Sequence, residues 1–147
     1  MGVKMSTTVE EFFRPDRTTK ISCPLFMVAV SAGFPSPAED YIEGRIDLNR
    51  HLIKHPAATF FVRVAGDSMI DAGIHPGDIL VVDRAVEPAD KNVVIAVIDG
   101  ELTVKRIAQR GGALYLVADN QSYAPLRIQE EMEFEIWGVV TSVIHHL

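Results

Sequence analysis

The chain of 147 residues has one cysteine, Cys23, and so can close no internal disulfide, as expected in a reducing compartment. It lacks an apolar run near the roughly 18 residues that suggest a membrane-spanning helix. It also lacks basic excess: 14 Lys and Arg face 20 Asp and Glu, for a net charge of −6. That balance argues against the positive field that non-specific nucleic-acid binding needs. No helix-turn-helix or zinc-finger spacing is visible, nor any internal repeat or low-complexity segment. Lys20, the apolar stretch Ile21 to Val30, and Val30-Ser31-Ala32 imitate a signal peptide. Glu10, Glu11 and Asp16 in place of a basic leader, and Pro24 inside the stretch, oppose that reading. A cytoplasmic protein with no membrane association is expected.

What is present is an ordinary globular composition, 48% hydrophobic and 23% charged. Its length suits one domain with an arm. Residues 1–32 are mostly polar without sustained periodicity and read as an extended arm, docking through Leu25, Phe26 and Val28. Residues 33–56 read as a linker with short helical turns. Ser36-Pro37-Ala38-Glu39 matches a capping box with proline at the first helical position, predicting a helix to about Glu43. Asp47 is expected to cap a turn through Ile53, ended by Pro56.

From residue 57 to 147 the pattern changes to short strands between turns. Thr59–Val64, Ile79–Val82, Asn92–Ile98, Glu101–Ile107, Ala113–Ala118 and Phe134–Ile144 are the expected strands, the last either one strand or two bent at Gly138. The fold class is therefore mainly β, a small partly open barrel or sandwich. Asp99-Gly100 is the strongest hairpin signal, and it sets a register. Ile98 pairs with Glu101, and counting outward sets Thr103 opposite Ala96 and Lys105 opposite Val94.

That register gives Lys105 a possible chemistry. Directly paired residues share a face, and Val93–Ile98 is continuously apolar, so the Lys105 ammonium is expected against apolar neighbours. An ordinary lysine, with a pKa of about 10.4, is almost wholly protonated at neutral pH, whereas burial favours the neutral amine. Such an amine can take the proton of a serine hydroxyl as it attacks a carbonyl. Ser68 follows a strand in Ala65-Gly66-Asp67-Ser68-Met69, a place for a nucleophile. Backbone N–H groups at Ser68 and Met69 are then available for the oxyanion. The same residues also fit a plain turn serine and a solvated strand-end lysine.

Other clusters carry less. His51 and His55 are spaced i, i+4, but no carboxylate motif completes a metal site and Pro56 disrupts the helix end. Ser68, Asp71 and His75 could imitate a triad, yet His75 abuts the Pro76-Gly77 turn. His145-His146 reads as a frayed terminus, Asn120, Tyr123 and Pro125 as a structural turn, and Trp137 as core. No metal and no cofactor are expected.

The chain resembles the UmuD proteins, within the LexA-like group of self-cleaving Ser-Lys peptidases. The matching text comprises Gly33-Phe34-Pro35-Ser36-Pro37-Ala38-Glu39-Asp40-Tyr41, Arg45-Ile46-Asp47-Leu48-Asn49 and His55-Pro56-Ala57-Ala58-Thr59. It continues in Gly66-Asp67-Ser68-Met69-Ile70-Asp71, Gly77-Asp78-Ile79-Leu80-Val81-Val82-Asp83 and Asp99-Gly100-Glu101-Leu102-Thr103-Val104-Lys105. A weaker match persists through Asn120 to Pro125 and Trp137-Gly138-Val139-Val140.

The resemblance implies Ser68 as nucleophile, Lys105 as general base and Ala32–Gly33 as the scissile bond. It further implies self-cleavage promoted by a RecA filament on single-stranded DNA during the SOS response. The 33–147 product would form a homodimer that joins a UmuC-type error-prone polymerase subunit in translesion synthesis. Too little chain precedes Gly33 for the DNA-binding domain of LexA, so sequence-specific DNA binding is not expected. The first 31 residues do not match closely. The alternatives are a non-cleaving interaction subunit and a signal-peptidase-like Ser-Lys protease acting in trans.

Overall fold

The computed structural model describes residues 5–20, 22–26 and 42–147. The Ala32–Gly33 bond and the Ser36–Glu39 capping box lie outside the described residues. The chain forms two compact units, one of residues up to Pro15 together with His55–Leu147, the other Asp16–Lys54. The larger contains strand β1 (Thr8–Phe13); the smaller contains β2 (Ser22–Phe26), β3 (Ile42–Asp47) and helix α1 (Leu48–Leu52). The larger unit continues with β4 (Thr59–Ala65), β5 (Ile79–Asp83), β6 (Val93–Ile98), β7 (Glu101–Arg110), β8 (Ala113–Val117), β9 (Leu126–Arg127) and β10 (Phe134–Ile144).

In the smaller unit β2 and β3 pair antiparallel, Ser22 opposite Asp47 and Cys23 opposite Ile46. The Asp47 carboxylate accepts from the Asn49 N–H at 3.0 Å and caps α1, as its sequence position predicts. Ile42 and Glu43 belong to β3, which corrects the expectation of a helix reaching Glu43. Leu25 and Phe26, expected as docking residues, lie in β2, and Val28 lies outside the described residues.

In the larger unit the β6–β7 hairpin has the expected register, with Ile98 opposite Glu101, Ala96 opposite Thr103 and Val94 opposite Lys105. Asp99 and Gly100 both have positive φ, 48° and 83°, as a two-residue primed turn requires. The strands run in the order β1-β4-β5-β10-β6-β7-β8-β9, and β1 also pairs with β7. The first six therefore close a ring. The expected mainly β architecture is present, and its barrel is closed rather than partly open.

Closure comes from residues read as arm. Thr8 sits opposite Ala65 of β4 on one side and opposite Thr103 of β7 on the other. The Val104 N–H donates to the Thr7 carbonyl at 2.9 Å and continues that seam. Glu10 and Glu11 mask the strand in the sequence, but β1 needs few apolar residues because most of its side chains face outward.

Two apolar clusters fill the unit. One holds Val62, Val64, Met69, Ile74, Leu80, Val82, Ile95 and Val104. The other holds Val94, Ala96, Ile107, Leu116 and Val139. Trp137 stands edge-on to Phe12 and Phe60, each with ring centroids 5.1 Å away, and packs half-buried against the first cluster instead of lying within it. β10 is one strand whose register shifts between Ile136 and Gly138, the position expected to bend.

Candidate active site

Ser68 follows β4 directly, in the turn Gly66-Asp67-Ser68 that leads to a 3₁₀ turn at Ile70–Ala72. Gly66 has φ +86°, a left-handed conformation that glycine adopts without strain. The turn is fastened from the far end of the sheet. The Asn120 side-chain amide donates to the Asp67 carbonyl at 2.9 Å, and the Tyr123 hydroxyl donates to the Asp67 carboxylate at 2.7 Å. Loss of hydration, then that carboxylate, raise the Tyr123 phenol to about 12, so it remains a donor over the working pH range. The Asp119 N–H points at the Met69 sulfur at 3.4 Å, and the Asp119 carboxylate pairs with Arg106 at 2.6 Å. Residues 119–123, expected to be a turn, thus brace the segment carrying Ser68.

Tyr123→Phe should lower stability by up to about 1.5 kcal/mol, the scale of one hydrogen bond to a charged group at a half-exposed site. It should slow any reaction at Ser68 less than loss of Lys105 does. Denaturant midpoints and reaction rates of the folded variant check both, and an unchanged midpoint would deny the brace.

Lys105 arrives from β7. Its Nζ donates to Ser68 Oγ at 2.8 Å, to Ser6 Oγ at 2.5 Å and to Thr103 Oγ1 at 3.2 Å. Burial lowers its pKa to about 8 against a smaller opposing pull from Glu101. Ser68 itself is fully buried. Its hydroxyl also accepts the Thr7 N–H at 2.8 Å. A cavity of about 300 Å³ adjoins, lined by Ser6, Thr103, Lys105, Glu101, Leu116 and Leu126 among others. A lysine near pH 8 bonded to a buried serine hydroxyl has the parts of a base and its nucleophile. The Ser68 and Met69 amides flank that hydroxyl in the chain.

The structure also adds and removes partners. Ser6 and Thr7 meet the Ser68–Lys105 pair, which no local sequence signal indicates. Thr103 was legible as a same-face neighbour of Lys105 through the hairpin register.

His75 lies with Asp78 and His145, its ring 4.7 Å from that of His145, rather than completing a triad at Ser68. His145 is bonded to the buried Asp78 at 2.5 Å, which corrects the expectation of a frayed end there. These three could offer metal-ligand atoms, all within 4.8 Å of one another, a grouping that the sequence did not indicate. His55 bonds Asp83 at 2.5 Å, while His51 belongs to the other unit.

Among the described residues no helix is long and apolar enough to cross a membrane. Residues 24–141 match the family model described as peptidase S24-like. The chain is 47% identical over 142 residues to the protein ImpA of Escherichia coli, covering 96% of each. It is 49% identical over 124 residues to the protein SamA of Salmonella typhimurium, covering 84% of this chain and 86% of the relative. It is 36% identical over 132 residues to the LexA repressor of Shewanella denitrificans, covering 89% of this chain and 63% of the relative.

Proposed function

Since the chain belongs to the peptidase S24-like family, we propose that it is an SOS-mutagenesis protein that cleaves itself at Ala32–Gly33. Its likeness to ImpA and SamA, over most of both chains, supports that placement. The observation that carries the chemistry is the 2.8 Å bond between Lys105 Nζ and Ser68 Oγ, made by a lysine that burial lowers to about 8.

In this reading neutral Lys105 accepts the Ser68 proton as Oγ attacks the Ala32 carbonyl carbon. The Ser68 and Met69 N–H groups hold the oxyanion. Lys105 then gives the proton to the Gly33 amine as the peptide bond breaks. Water hydrolyses the acyl ester on Ser68, again with Lys105 as base. A small residue before the bond and no Cβ after it let the backbone lie close to the nucleophile. A RecA filament on single-stranded DNA promotes the reaction, and the product 33–147 joins a UmuC-type polymerase subunit as a homodimer in the cytoplasm. No cofactor takes part in the reaction.

The pH dependence has a definite sign. Below about 8 Lys105 is an ammonium and cannot act as base; above it the amine is free. The self-cleavage rate should climb through about pH 8 and level off above, instead of climbing to the 10.4 of an ordinary lysine. Between those values the unfolded chain holds the proton that the folded protein has lost. The contribution of Lys105 to stability therefore rises with pH across that window.

An intact-mass time course at several pH values, with and without RecA, ATP and single-stranded DNA, tests the reading. Fragments 1–32 and 33–147 should appear. A folded protein that yields no fragments under any condition would favour an interaction subunit.

A further inference from the structure

The catalytic groove already contains a peptide. Met5, Ser6 and Thr7 run through it in line with β1 and are held from both sides. The Asp67 N–H donates to the Met5 carbonyl at 2.8 Å, and the Val104 N–H donates to the Thr7 carbonyl at 2.9 Å. Thr103 Oγ1 adds a bond of 3.1 Å to that same Thr7 carbonyl. The fit is tight: a Cβ built on Gly66 would stand 2.2 Å from the Ser6 carbonyl oxygen. Glycine at 66 is required by this close approach as well as by its φ.

The occupant meets both reactive groups. A serine hydroxyl oxygen has two acceptor lone pairs. On Ser68 the Thr7 N–H takes one and the Lys105 ammonium takes the other. While Lys105 keeps its proton, no lone pair is left to attack a carbonyl. Lys105 has three N–H donors, and Ser6, Ser68 and Thr103 accept all three. These acceptors hold the ammonium in place, opposing the burial that lowers its pKa. The Ser6–Thr7 segment lies in contact with the nucleophile, where a scissile bond must lie.

We propose that the groove between β4 and β7 is a binding site for an extended peptide with a small side chain over Lys105, and that residues 5–8 occupy it as an internal competitor of the Ala32–Gly33 segment. The segment quenches Ser68 with the Thr7 N–H and Lys105 with the Ser6 hydroxyl. It must leave before residues 32 and 33 can enter, so its release is a step preceding cleavage. The proposal rests on Ser68 being the nucleophile of the self-cleavage reading.

Its test reads Ser68 directly. Full-length protein is treated at pH 8 with a fluorophosphonate that labels reactive serines, alongside Ser6→Ala and a variant lacking residues 2–7 that keeps β1. Self-cleavage is followed in parallel. Ser6→Ala should label about 3–10 times faster, the factor expected for one hydrogen bond, and the deletion faster still. A synthetic peptide of residues 2–7 should slow labelling of the deletion variant. Equal labelling rates in parent and Ser6→Ala would overturn the proposal, even if the deletion variant fails to fold. Faster labelling with no cleavage in any protein would support the resident peptide and count against self-cleavage. Cleavage in all with equal labelling would do the reverse.

Discussion

Replacing Lys105 by alanine should slow self-cleavage by about 10²–10⁴-fold, the range that a positioned general base supplies, and replacing Ser68 by alanine should abolish it. The two losses have different causes. Without Ser68 there is no oxygen to form the acyl intermediate. Without Lys105 the oxygen remains, but its proton has nowhere to go within bonding distance, because the other polar contact of Ser68 is the Thr7 N–H, a donor. Lys105→Ala should also remove the pH step near 8. Neither change should unfold the protein: Lys105 is half-buried on a strand whose backbone pairing is unaffected, and Ser68 loses a single oxygen. Intact mass spectrometry with a thermal melt of each variant is the measurement. A Lys105→Ala protein that cleaves at the parental rate, with the parental pH profile, would sink the role of this lysine.

The largest effect on stability should come from Leu80→Ala. Leu80 has no exposed surface and lies in β5 within the main cluster, beside Val62 across the β4–β5 pairing. The strands around it belong to a closed ring, which limits collapse into the space left behind. Loss of the buried methyl groups and the cavity together cost about 2–5 kcal/mol. The melting midpoint should fall by roughly 4–20 °C. Gly138→Ala perturbs the same core by excess volume. Its new Cβ would lie 2.6 Å from Val82 Cγ1, a branched side chain with no exposed surface, so Val82 or the β10 bulge must shift. That overpacking costs about 1–3 kcal/mol. Calorimetry of both variants checks the order; a Leu80→Ala midpoint within a degree of the parent would mean the ring does collapse.

The parts of this molecule legible in its sequence are those governed by local rules. Asp99-Gly100 specified its turn, and the turn alone fixed Lys105 opposite Val94. Apolar and β-branched runs between turns marked β4, β5, β6 and β8 to within a residue or two. The unread parts depend on partners distant in the chain. Thr8–Phe13 has two adjacent glutamates and no turn signal, and it becomes a strand because β4 pairs along it and β7 meets it at Thr8. β3 extends over Ile42 and Glu43 because β2 pairs with it. His145 is tied to Asp78 across 67 positions, a contact that no spacing rule can see. For the site the division is similar. Ser68 and Lys105 stand out as types near turns, whereas Ser6 and Thr7 are polar residues in a polar stretch whose role exists only in three dimensions.

Six strands form a hoop that closes where Thr8 meets Thr103, and the first of the six lies wholly before Ala32. In the self-cleavage reading, a cut at Ala32–Gly33 would make the departure of β1 permanent, and the hoop would stay a ribbon. The flanks of β4 and β7 that paired with it then present unpaired N–H and C=O groups, and Trp137 loses the ring of Phe12. Such edges recruit strands from other chains. One hydrolysed bond would thereby exchange a self-contained topology for an adhesive one.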